Sequence, residues 1–258
     1  MGERSFNVCD RTDGFWERIG TGRWEPNTEA ALSRLTRNDV FIDIGAWIGW
    51  TTLTAAAYGA SVIAFEPDPI SRVELERNIR ANPGFDVTVL PVALSDKTES
   101  RQLTAPYVLG DSMGSIVRPS RARPGGRAVD VAVEDVRCWL PRFTAARLIK
   151  IDTEGSEYRI VPPMRQWLVA HKPDLMLSLH TSHLSGILKV LPKGSRGATH
   201  RIVAHAIRRK LRWLADVYPR CFVASETRIW EPVTKDVFNK KLDYPGEMEI
   251  YLTTRDWP

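Results

Sequence analysis

Short apolar runs rich in β-branched residues alternate with helical patterns along most of the chain. Such runs predict buried strands, and they lie at 40–44, 61–65, 87–90, 129–133, 148–152, 175–180, 221–224 and 248–253. Because strands and helices alternate, the pattern predicts an α/β fold with a doubly wound, mainly parallel sheet and helices on both faces. The last two predicted strands are expected to pair and close the sheet.

Residues typical of helix ends support this reading. Asp68 followed by Pro69 predicts a helix start, because Asp caps the first turn and Pro is well tolerated at the first helical position. That helix is expected to end at residues 82–84, and Gly59 is expected to end the helix before it. The apolar stripe of the later helix is predicted from three positions: Ile70, Val73 and Ile79.

Composition narrows the class of protein. The 258 residues are 43% hydrophobic, which is enough to bury a core and excludes a disordered or fibrous protein. The net charge of +5 is too small and too dispersed to identify a partner. Three cysteines cannot form a disulfide scaffold, and residues 1–16 show no export or lipidation signal. We therefore expect a cytoplasmic protein.

An uncharged stretch of 22 residues, 44–65, has the length of a membrane span. It contains three glycines and several Ser and Thr residues, and it fits a strand end, a loop, a helix and a second strand. We therefore expect a β-α-β unit there instead of a span.

The most informative motif joins the first predicted strand to the helix after it. Asp43, Gly45 and Gly49 surround a turn at the carboxyl end of that strand, where open α/β sheets bind ligands. Glu66 follows the second strand, 23 residues after Asp43, where a carboxylate can accept hydrogen bonds from ribose hydroxyls. Together the two signals indicate a site for a nucleoside.

The spacing of the motif distinguishes between nucleotides. Dinucleotide sites favour G-x-G-x-x-G, which seats a pyrophosphate on a helix N-terminus. Here the pattern is D-x-G-x-x-x-G with Trp47 in the turn. An acid and an indole disfavour a pyrophosphate but accept the sulfonium and amino-acid end of S-adenosylmethionine. Two alternatives stay open: glycines that only turn a tight corner, and a nicotinamide cofactor.

The sequence resembles the FkbM-type S-adenosylmethionine-dependent methyltransferases from Trp24 to His180. The resemblance rests on five segments: Trp24-Glu25-Pro26, 41–49, Phe65-Glu66-Pro67, 92–95 and 149–157. The last segment, with the pattern K-x-D-x-E-G-x-E, is the most distinctive. One departure is Trp47, which stands where family members usually have Asn.

The resemblance implies a Rossmann-like class I methyltransferase fold with a seven-stranded sheet, and O-methylation of a hydroxyl on a sugar, glycolipid or polyketide-type natural product. It implies that Asp43, Gly45 and Gly49 line the methionine end of the cofactor. Glu66 would hold the ribose. Further cofactor contacts are expected from Ala46, Trp47, Thr51, Pro67, Ala93, Leu94 and Asp152, with Ala93 and Leu94 near the adenine.

A single methyltransferase domain over 1–258 is expected, because the sequence shows no internal repeat and no interdomain linker. Its parts are an N-terminal cap at 1–38, a cofactor-binding core at 39–180, and C-terminal sheet-edge and substrate-side elements at 181–258. The segment 106–127 has four glycines, three prolines and four arginines, too irregular for a buried element. It is a candidate substrate loop or lid.

Methyl transfer to a hydroxyl needs a base, because a hydroxyl is a weak nucleophile at neutral pH. Asp152 and Glu154 follow one predicted strand and His180 ends the next, so the three are expected at one cleft. We expect Asp152 or Glu154 to orient the acceptor and His180 to take its proton. The alternatives are a loop-capping or solvated His180, and for Glu157 a role at the helix dipole. No ligand spacing identifies a metal site, and none is expected.

The segment 201–216 predicts an amphipathic basic helix. Its apolar side consists of Val203, Ile207, Leu211 and Leu214, and its polar side of Arg201, His205, Arg208 and Arg212. The basic side suits a membrane surface or RNA phosphates, whereas a sheet-covering helix with solvated charges explains the same pattern.

The partner expected from all of this is a small-molecule or glycan acceptor, without a stable nucleic-acid partner. Peripheral membrane contact through 201–216 stays an alternative, and the oligomeric state is left open. Two other functions are also kept open: an RNA methyltransferase and a non-catalytic nucleotide-binding protein.

Overall fold

A mainly parallel eight-stranded sheet forms the centre of the computed structural model, which describes residues 5–9, 14–105, 108–117, 127–180, 205, 209–225, 229–242 and 247–256. In order across this sheet the strands are β10 (Trp230–Val233), β9 (Arg220–Ala224), β11 (Glu247–Thr253), β8 (Asp174–His180), β7 (Ala146–Ile151), β1 (Val40–Ile44), β2 (Ser61–Phe65) and β3 (Val87–Leu90). A second, three-stranded sheet has the order β4 (Ala93–Ser95), β6 (Arg127–Asp135) and β5 (Glu99–Ala105).

The direction of the strands confirms the predicted fold class. β3, β2, β1, β7 and β8 pair in parallel, and β11, β9 and β10 add antiparallel pairs at one edge. The predicted pairing of the last two strands is also confirmed, as β9 with β11.

The expected count of seven strands is wrong by one, because β10 extends the main sheet at its edge. Its sequence, Trp230-Glu231-Pro232-Val233, is too short and polar to predict a strand. Proline is tolerated there because an edge strand leaves one row of hydrogen-bonding groups unpaired. The buried Trp230 fixes the strand, since its indole N–H donates to the carbonyl oxygen of Asn27 at 2.6 Å.

The predicted strand at 129–133 is real, but as β6 it belongs to the small sheet. Its partner β5 is mostly polar along its first half, and only its last three residues are buried, so no apolar run predicted it. The small sheet has its own apolar cluster: Ala93, Leu103, Ile116, Val131 and Val133.

The helices of the described residues are α1 (Phe15–Gly20), α2 (Pro26–Leu32), α3 (Trp50–Ala57), α4 (Pro69–Arg80), α5 (Glu157–Ile160), α6 (Arg165–His171), α7 (Leu214–Val217) and α8 (Lys235–Lys241). Single 3₁₀ turns cover Val136–Cys138, Leu140–Phe143 and Pro162–Met164. Within the described parts of the chain, none of these helices is long and apolar enough to traverse a bilayer. Residues 44–65 form the end of β1, a loop, α3 and β2, as predicted.

Helix α4 begins as predicted but buries a different side. The Asp68 carboxylate accepts a hydrogen bond from the Ile70 N–H at 2.8 Å. The predicted apolar stripe is wrong, because Ile70 and Val73 are 56% and 49% exposed. The buried positions of the helix are instead Ser71, Leu75 and Asn78.

Apolar clusters cover both faces of the main sheet. One contains Ile42, Ile44 and Ile149 together with residues of α5 to α8. The other contains Phe41, Leu148 and residues of α2 and α3. Alternate residues of β1 therefore point to opposite clusters, as expected for a strand covered on both faces.

Two predicted features lie partly outside the described residues. Of the basic segment 201–216, residues 201–204 and 206–208 are outside them, while Leu211 and Leu214 are fully buried in the core. Of the candidate lid 106–127, only 108–117 and Arg127 are described.

Candidate active site

A cavity of about 1100 Å³, open mouth included, lies where β1, β2 and β7 end. The predicted cofactor residues on its wall are Gly45, Ala46, Trp47, Thr51, Glu66, Pro67, Ala93, Leu94 and Asp152. The predicted acceptor-side residues Glu154 and His180 also line it. Asp43 and Gly49 do not reach the wall.

Backbone conformation and packing require both glycines of the loop after β1. Gly45 has a φ of +87°, and a Cβ there would lie 1.9 Å from the carbonyl oxygen of Asp152. Gly49 has a φ of +97°, and its Cβ would lie 2.5 Å from a methyl carbon of Leu75. The glycines therefore set the path of the loop, and its residues 45–47 form the cavity wall.

Asp43 supports this loop on the side away from the cavity. Its carboxylate is fully buried and accepts hydrogen bonds from the hydroxyls of Thr51 at 2.6 Å and Thr52 at 2.7 Å. The ammonium of Lys150 lies 3.4 Å from its other oxygen. Asp43 was predicted to line the methionine end, but its hydrogen bonds point into the protein, where it positions the loop.

Lys150 joins β7 to the same loop. Its ammonium donates to the carbonyl oxygen of Gly45 at 3.2 Å and lies 3.6 Å from a carboxylate oxygen of Asp152. Burial acts to lower the pKa of Lys150, but the nearby carboxylates of Asp43 and Asp152 raise it further than burial lowers it. The side chain is therefore a buried cation that compensates two carboxylates.

Glu66 presents a carboxylate at the place where a ribose is expected. It is 6% exposed and accepts hydrogen bonds from the backbone N–H groups of Trp47 at 2.7 Å and Asp68 at 2.8 Å. Burial raises its pKa to about 7, more than these hydrogen bonds lower it. Each carboxylate oxygen has a second lone pair, so Glu66 can accept from two ribose hydroxyls while it holds the loop.

The wall beside Glu66 is apolar. Phe65, Val92, Leu94 and Ile116 line the cavity there. An apolar slot next to a carboxylate is what an adenine base and its ribose need. The residues present therefore fit the adenosyl group of S-adenosylmethionine.

The described part of the predicted lid, 108–117, forms one wall of this cavity. The Trp47 indole N–H donates to the carbonyl oxygen of Gly110 at 2.9 Å, and the Gly110 N–H donates to the Asp68 carboxylate at 2.8 Å. The Ser115 hydroxyl donates to the carbonyl oxygen of Glu154 at 2.7 Å. These three hydrogen bonds hold the segment against the loop after β1, the start of α4 and the loop after β7.

Trp47 itself adopts a left-handed backbone with a φ of +51°. Asn tolerates that conformation better than Trp does, so the residue needs compensation. The indole supplies it through the bond to Gly110 and an edge-to-face contact with Phe15, with ring centroids 4.8 Å apart.

His180 lies among three carboxylates. Its Nε2 is 3.7 Å from Asp152 and 3.6 Å from Glu154, and its Nδ1 is 3.5 Å from Glu157. Burial acts to lower the pKa of His180, but Glu157, Asp152 and Glu154 together raise it to about 10. With this pKa both ring nitrogens of His180 carry protons at neutral pH, and neither can accept another. The geometry therefore favours a carboxylate over His180 as the base.

In the part of the chain that is described, no three His, Cys, Asp or Glu side chains form a group suited to a metal ion.

Glu157 organises the loop between β7 and α5. Its buried carboxylate accepts from the N–H of Thr153 at 2.8 Å, the hydroxyl of Thr153 at 2.9 Å and the N–H of Gly155 at 3.1 Å. The loop needs this support because Glu154 has a φ of +54° and Gly155 one of +112°. Glu157 therefore acts on His180 and on the loop backbone, and it does not line the cavity.

Sequence reasoning missed Glu25 as a site residue. It lines the cavity directly before α2, and the Thr28 hydroxyl donates to one of its carboxylate oxygens at 3.2 Å. Burial, then Asp152 and Glu249, raise its pKa to about 7, although Lys150 and the hydrogen bond from Thr28 lower it. The only signal was its place in the Trp24-Glu25-Pro26 segment of the family resemblance.

A second cavity of about 570 Å³, open space included, adjoins the first. The two share four residues: Trp24, Glu25, Asp152 and His180. The other residues on its wall come from β8 and β11: Ser178, Leu179, Glu247, Met248 and Glu249. We call the first the donor cavity and the second the acceptor cavity, after the roles that we propose for them.

Comparison with known proteins agrees with this architecture. The sequence model of the methyltransferase FkbM domain matches residues 43–202. A curated relative, ribosomal RNA small subunit methyltransferase A of Kineococcus radiotolerans, is 27% identical over 136 residues, which are 51% of this chain and 40% of the relative. The chain thus spans less than half the length of that relative.

Solved structures with some similarity are also methyltransferases. The FkbM methyltransferase of Methylobacillus flagellatus is 18% identical, with 85% of this chain and 44% of that chain covered and a TM-score of 0.42. The O-methyltransferase of Bacillus cereus, in complex with SAH, is 12% identical, with 96% and 84% covered and a TM-score of 0.40.

The family match covers more than half of the chain, from Asp43 near the end of β1 to residue 202, and it includes nearly all of the predicted cofactor core at 39–180. It includes the glycine loop, Glu66 and the acid-rich segment after β7, which together build the donor cavity. The chain therefore belongs to the FkbM family of S-adenosylmethionine-dependent methyltransferases.

Proposed function

We propose that this chain transfers the methyl group of S-adenosylmethionine to a hydroxyl of a small polyhydroxylated acceptor, such as a sugar, a glycolipid or a polyketide-type natural product. The observation that carries this proposal is the pair of adjoining cavities that meet at Trp24, Glu25, Asp152 and His180. Two reactants held in neighbouring cavities are already aligned for direct transfer, which lowers the barrier by several kcal/mol.

On the donor side, the bound cofactor supplies a methyl group already activated by a positively charged sulfur. Glu66 accepts hydrogen bonds from the ribose, and the apolar wall at Phe65 and Leu94 takes the adenine. Residues 45–47 border the methionine part. Asp43 and Lys150 keep this loop rigid from behind.

On the acceptor side, the lining suits hydroxyl groups. Carboxylates accept hydrogen bonds from neighbouring hydroxyls, and Glu25 and Asp152 lie where the two cavities meet. The protonated His180 holds the carboxylates of Asp152 and Glu154 in place. Trp24 offers an aromatic face against which the apolar side of a sugar ring can pack.

A second candidate is methylation of RNA, which the curated relative favours through 27% identity over about half of this chain. The described lining of the acceptor cavity speaks against it. Four carboxylates lie there, from Glu25, Asp152, Glu247 and Glu249, and carboxylates repel the phosphates on which RNA affinity depends.

Radiolabelled methyl transfer tests the two candidates together. The purified protein is incubated with methyl-labelled S-adenosylmethionine and the separated small-molecule, lipid and RNA fractions of the source cells. Label in a sugar or lipid product that survives base treatment supports a methyl ether. Label in the RNA fraction alone supports the second candidate, and label in no fraction contradicts both.

We also infer a cytoplasmic location. Cys9, Cys138 and Cys221 are all free thiols, which suits a reducing compartment. Membrane contact through 201–216 stays an alternative. Cell fractionation with a high-salt wash tests both, because a protein held on a membrane by basic residues is released by salt.

A further inference from the structure

We propose that Glu25 is the catalytic residue that accepts the proton of the acceptor hydroxyl. This inference rests on the proposed function and adds a base to it.

The position of Glu25 is the first argument. Methyl transfer must take place where the donor and acceptor cavities meet, and only four of the described residues line both. Trp24 has no basic atom. His180 already holds a proton among Asp152, Glu154 and Glu157. Two carboxylates therefore remain, Glu25 and Asp152.

Both oxygens of Asp152 already face cationic side chains. One oxygen lies 3.6 Å from the Lys150 ammonium, and the other lies 3.7 Å from Nε2 of His180. A carboxylate engaged in this way on both oxygens suits orientation of the acceptor, and Glu25 remains as the group that can take up its proton.

Glu25 has different surroundings. The hydrogen bond described for its carboxylate comes from the neutral Thr28 hydroxyl, on one oxygen. The charged groups that face it are Lys150 from β7, Asp152 from the loop after β7, Glu249 from β11 and, across the shared wall, His180 from β8. Burial and the two carboxylates raise the pKa of Glu25 to about 7. A base near the working pH is the most effective one.

The backbone supports the same assignment. Glu25 has a φ of +41°, a left-handed conformation that is uncommon for a residue other than glycine. Such residues persist where the surroundings hold them, and they concentrate at functional sites. Here the next residue, Pro26, starts α2, and Asn27 binds both Glu249 and Trp230. The strained residue is thus fixed with its carboxylate at the junction of the cavities.

In the transfer step the acceptor oxygen forms a bond to the methyl carbon while the bond between that carbon and sulfur breaks. The electron pair of the broken bond stays on sulfur, which becomes part of a neutral thioether. The hydroxyl proton passes to a Glu25 oxygen. After the products leave, Glu25 returns this proton to water.

Proton release on ligand binding tests the assignment without any acceptor. S-adenosylmethionine carries a positive charge on sulfur that S-adenosylhomocysteine lacks. A carboxyl that faces the methyl group therefore releases more of its proton to the solvent when S-adenosylmethionine binds than when S-adenosylhomocysteine binds. With a pKa of about 7, Glu25 is half protonated at pH 7, and a drop of one unit on binding would release roughly 0.4 proton. Glu66 contacts the ribose of both ligands, so its contribution cancels in the difference.

The experiment is calorimetric titration of both ligands at pH 7 in buffers with different ionisation enthalpies. The parent protein is expected to release roughly 0.4 proton more with S-adenosylmethionine than with S-adenosylhomocysteine. Glu25→Gln should remove this excess and still bind S-adenosylhomocysteine. The matched control is Glu29→Gln on α2, the helix that follows Glu25. Glu29 accepts a hydrogen bond from the Tyr58 hydroxyl and lines neither cavity. It should keep the excess.

Two results would overturn the assignment. Equal proton release for the two ligands in the parent is one, and it does not depend on how any variant folds. If that equal release is also lost for both ligands in Glu25→Gln, Glu25 lies at the amino-acid end of the cofactor instead. An excess that survives Glu25→Gln is the other. If neither ligand binds the parent, the proposed function fails instead.

Discussion

Replacing Asp43 with asparagine removes the negative charge nearest to a buried lysine. Lys150 and Asp43 are 6% and 0% exposed, and their charged atoms are 3.4 Å apart. Removing one partner of a buried ion pair costs about 3–5 kcal/mol, because the other charge stays buried without compensation. Asp152, 3.6 Å from the same ammonium, retains part of the pairing. We therefore expect a loss near the lower limit, about 3 kcal/mol of unfolding free energy.

Urea unfolding followed by circular dichroism measures this loss, with Asp39→Asn as the matched control. Asp39 precedes β1 and accepts two hydrogen bonds from Thr36 at 2.7 Å near the surface. Its replacement should cost about 1 kcal/mol or less, as for ordinary hydrogen bonds. The reasoning is refuted if Asp43→Asn stays within about 1 kcal/mol of the parent, or costs no more than the control.

Three further predictions concern the loops and the titrating groups. Glu157→Gln should lower the pKa of His180, because the ring loses a neighbouring negative charge. It should also cost about 2 kcal/mol of unfolding free energy, because the loop after β7 loses a charged acceptor. NMR titration of the ring and urea unfolding measure the two effects, and an unchanged ring pKa contradicts the prediction. Trp47→Phe keeps an aromatic ring but loses the indole N–H that binds Gly110. Amide hydrogen exchange in 108–117 should therefore become faster, while exchange in the central strands stays unchanged. Exchange rates in 108–117 equal to those of the parent would count against a stabilising role of this hydrogen bond. Between pH 5 and 7 the folded protein holds a proton on Glu66 that the unfolded chain, with an ordinary pKa of 4.5, has lost. The contribution of Glu66 to stability should therefore fall as pH rises through this range, by at most about 1.4 kcal/mol per pH unit. Glu25, whose pKa is also raised to about 7, adds a slope of the same sign. Glu66→Gln should flatten the slope measured by urea unfolding, and a slope equal to that of the parent would refute this assignment.

The buried strands and the cofactor motif were the features that sequence reasoning could reach. Strands such as 40–44 and 61–65 are mostly apolar, because both of their faces are covered. Glu66 directly follows such a strand, and the fold alone places a strand end at the cavity. Local pattern and three-dimensional position coincide at these sites.

Helix α4 shows where local pattern fails. Asn78 is buried because its side-chain amide donates to the carbonyl oxygen of Ile48 at 3.0 Å and its side-chain oxygen accepts from the Cys9 N–H at 2.8 Å. Both partners are distant in sequence. No periodicity of apolar residues predicts that an amide is buried while Ile70 is exposed, since the reason is a set of tertiary hydrogen bonds.

The chemistry of the site was harder to predict than its location. His180 was expected to be a base from its ordinary pKa, yet three carboxylates surround it, and they come from a different segment. Glu25 lies far from the cofactor motif in sequence. Its neighbours are Asp152 in the loop after β7 and Glu249 in β11, which the fold alone brings together. Electrostatic surroundings of this kind depend on tertiary structure.

Calorimetric titration of the protein with S-adenosylhomocysteine, with NAD as a competitor, tests the central claim most directly. Above the raised pKa of about 7, where Glu66 is ionised, the parent should bind S-adenosylhomocysteine. At such a pH Glu66→Gln should weaken binding about 10- to 100-fold, because hydrogen bonds to a charged acceptor contribute about 1.5–3 kcal/mol. Glu76→Gln is the control, since Glu76 lies on α4 outside both cavities. It should bind like the parent. Binding of NAD in place of S-adenosylhomocysteine, or equal affinity of the parent and Glu66→Gln, would contradict the account.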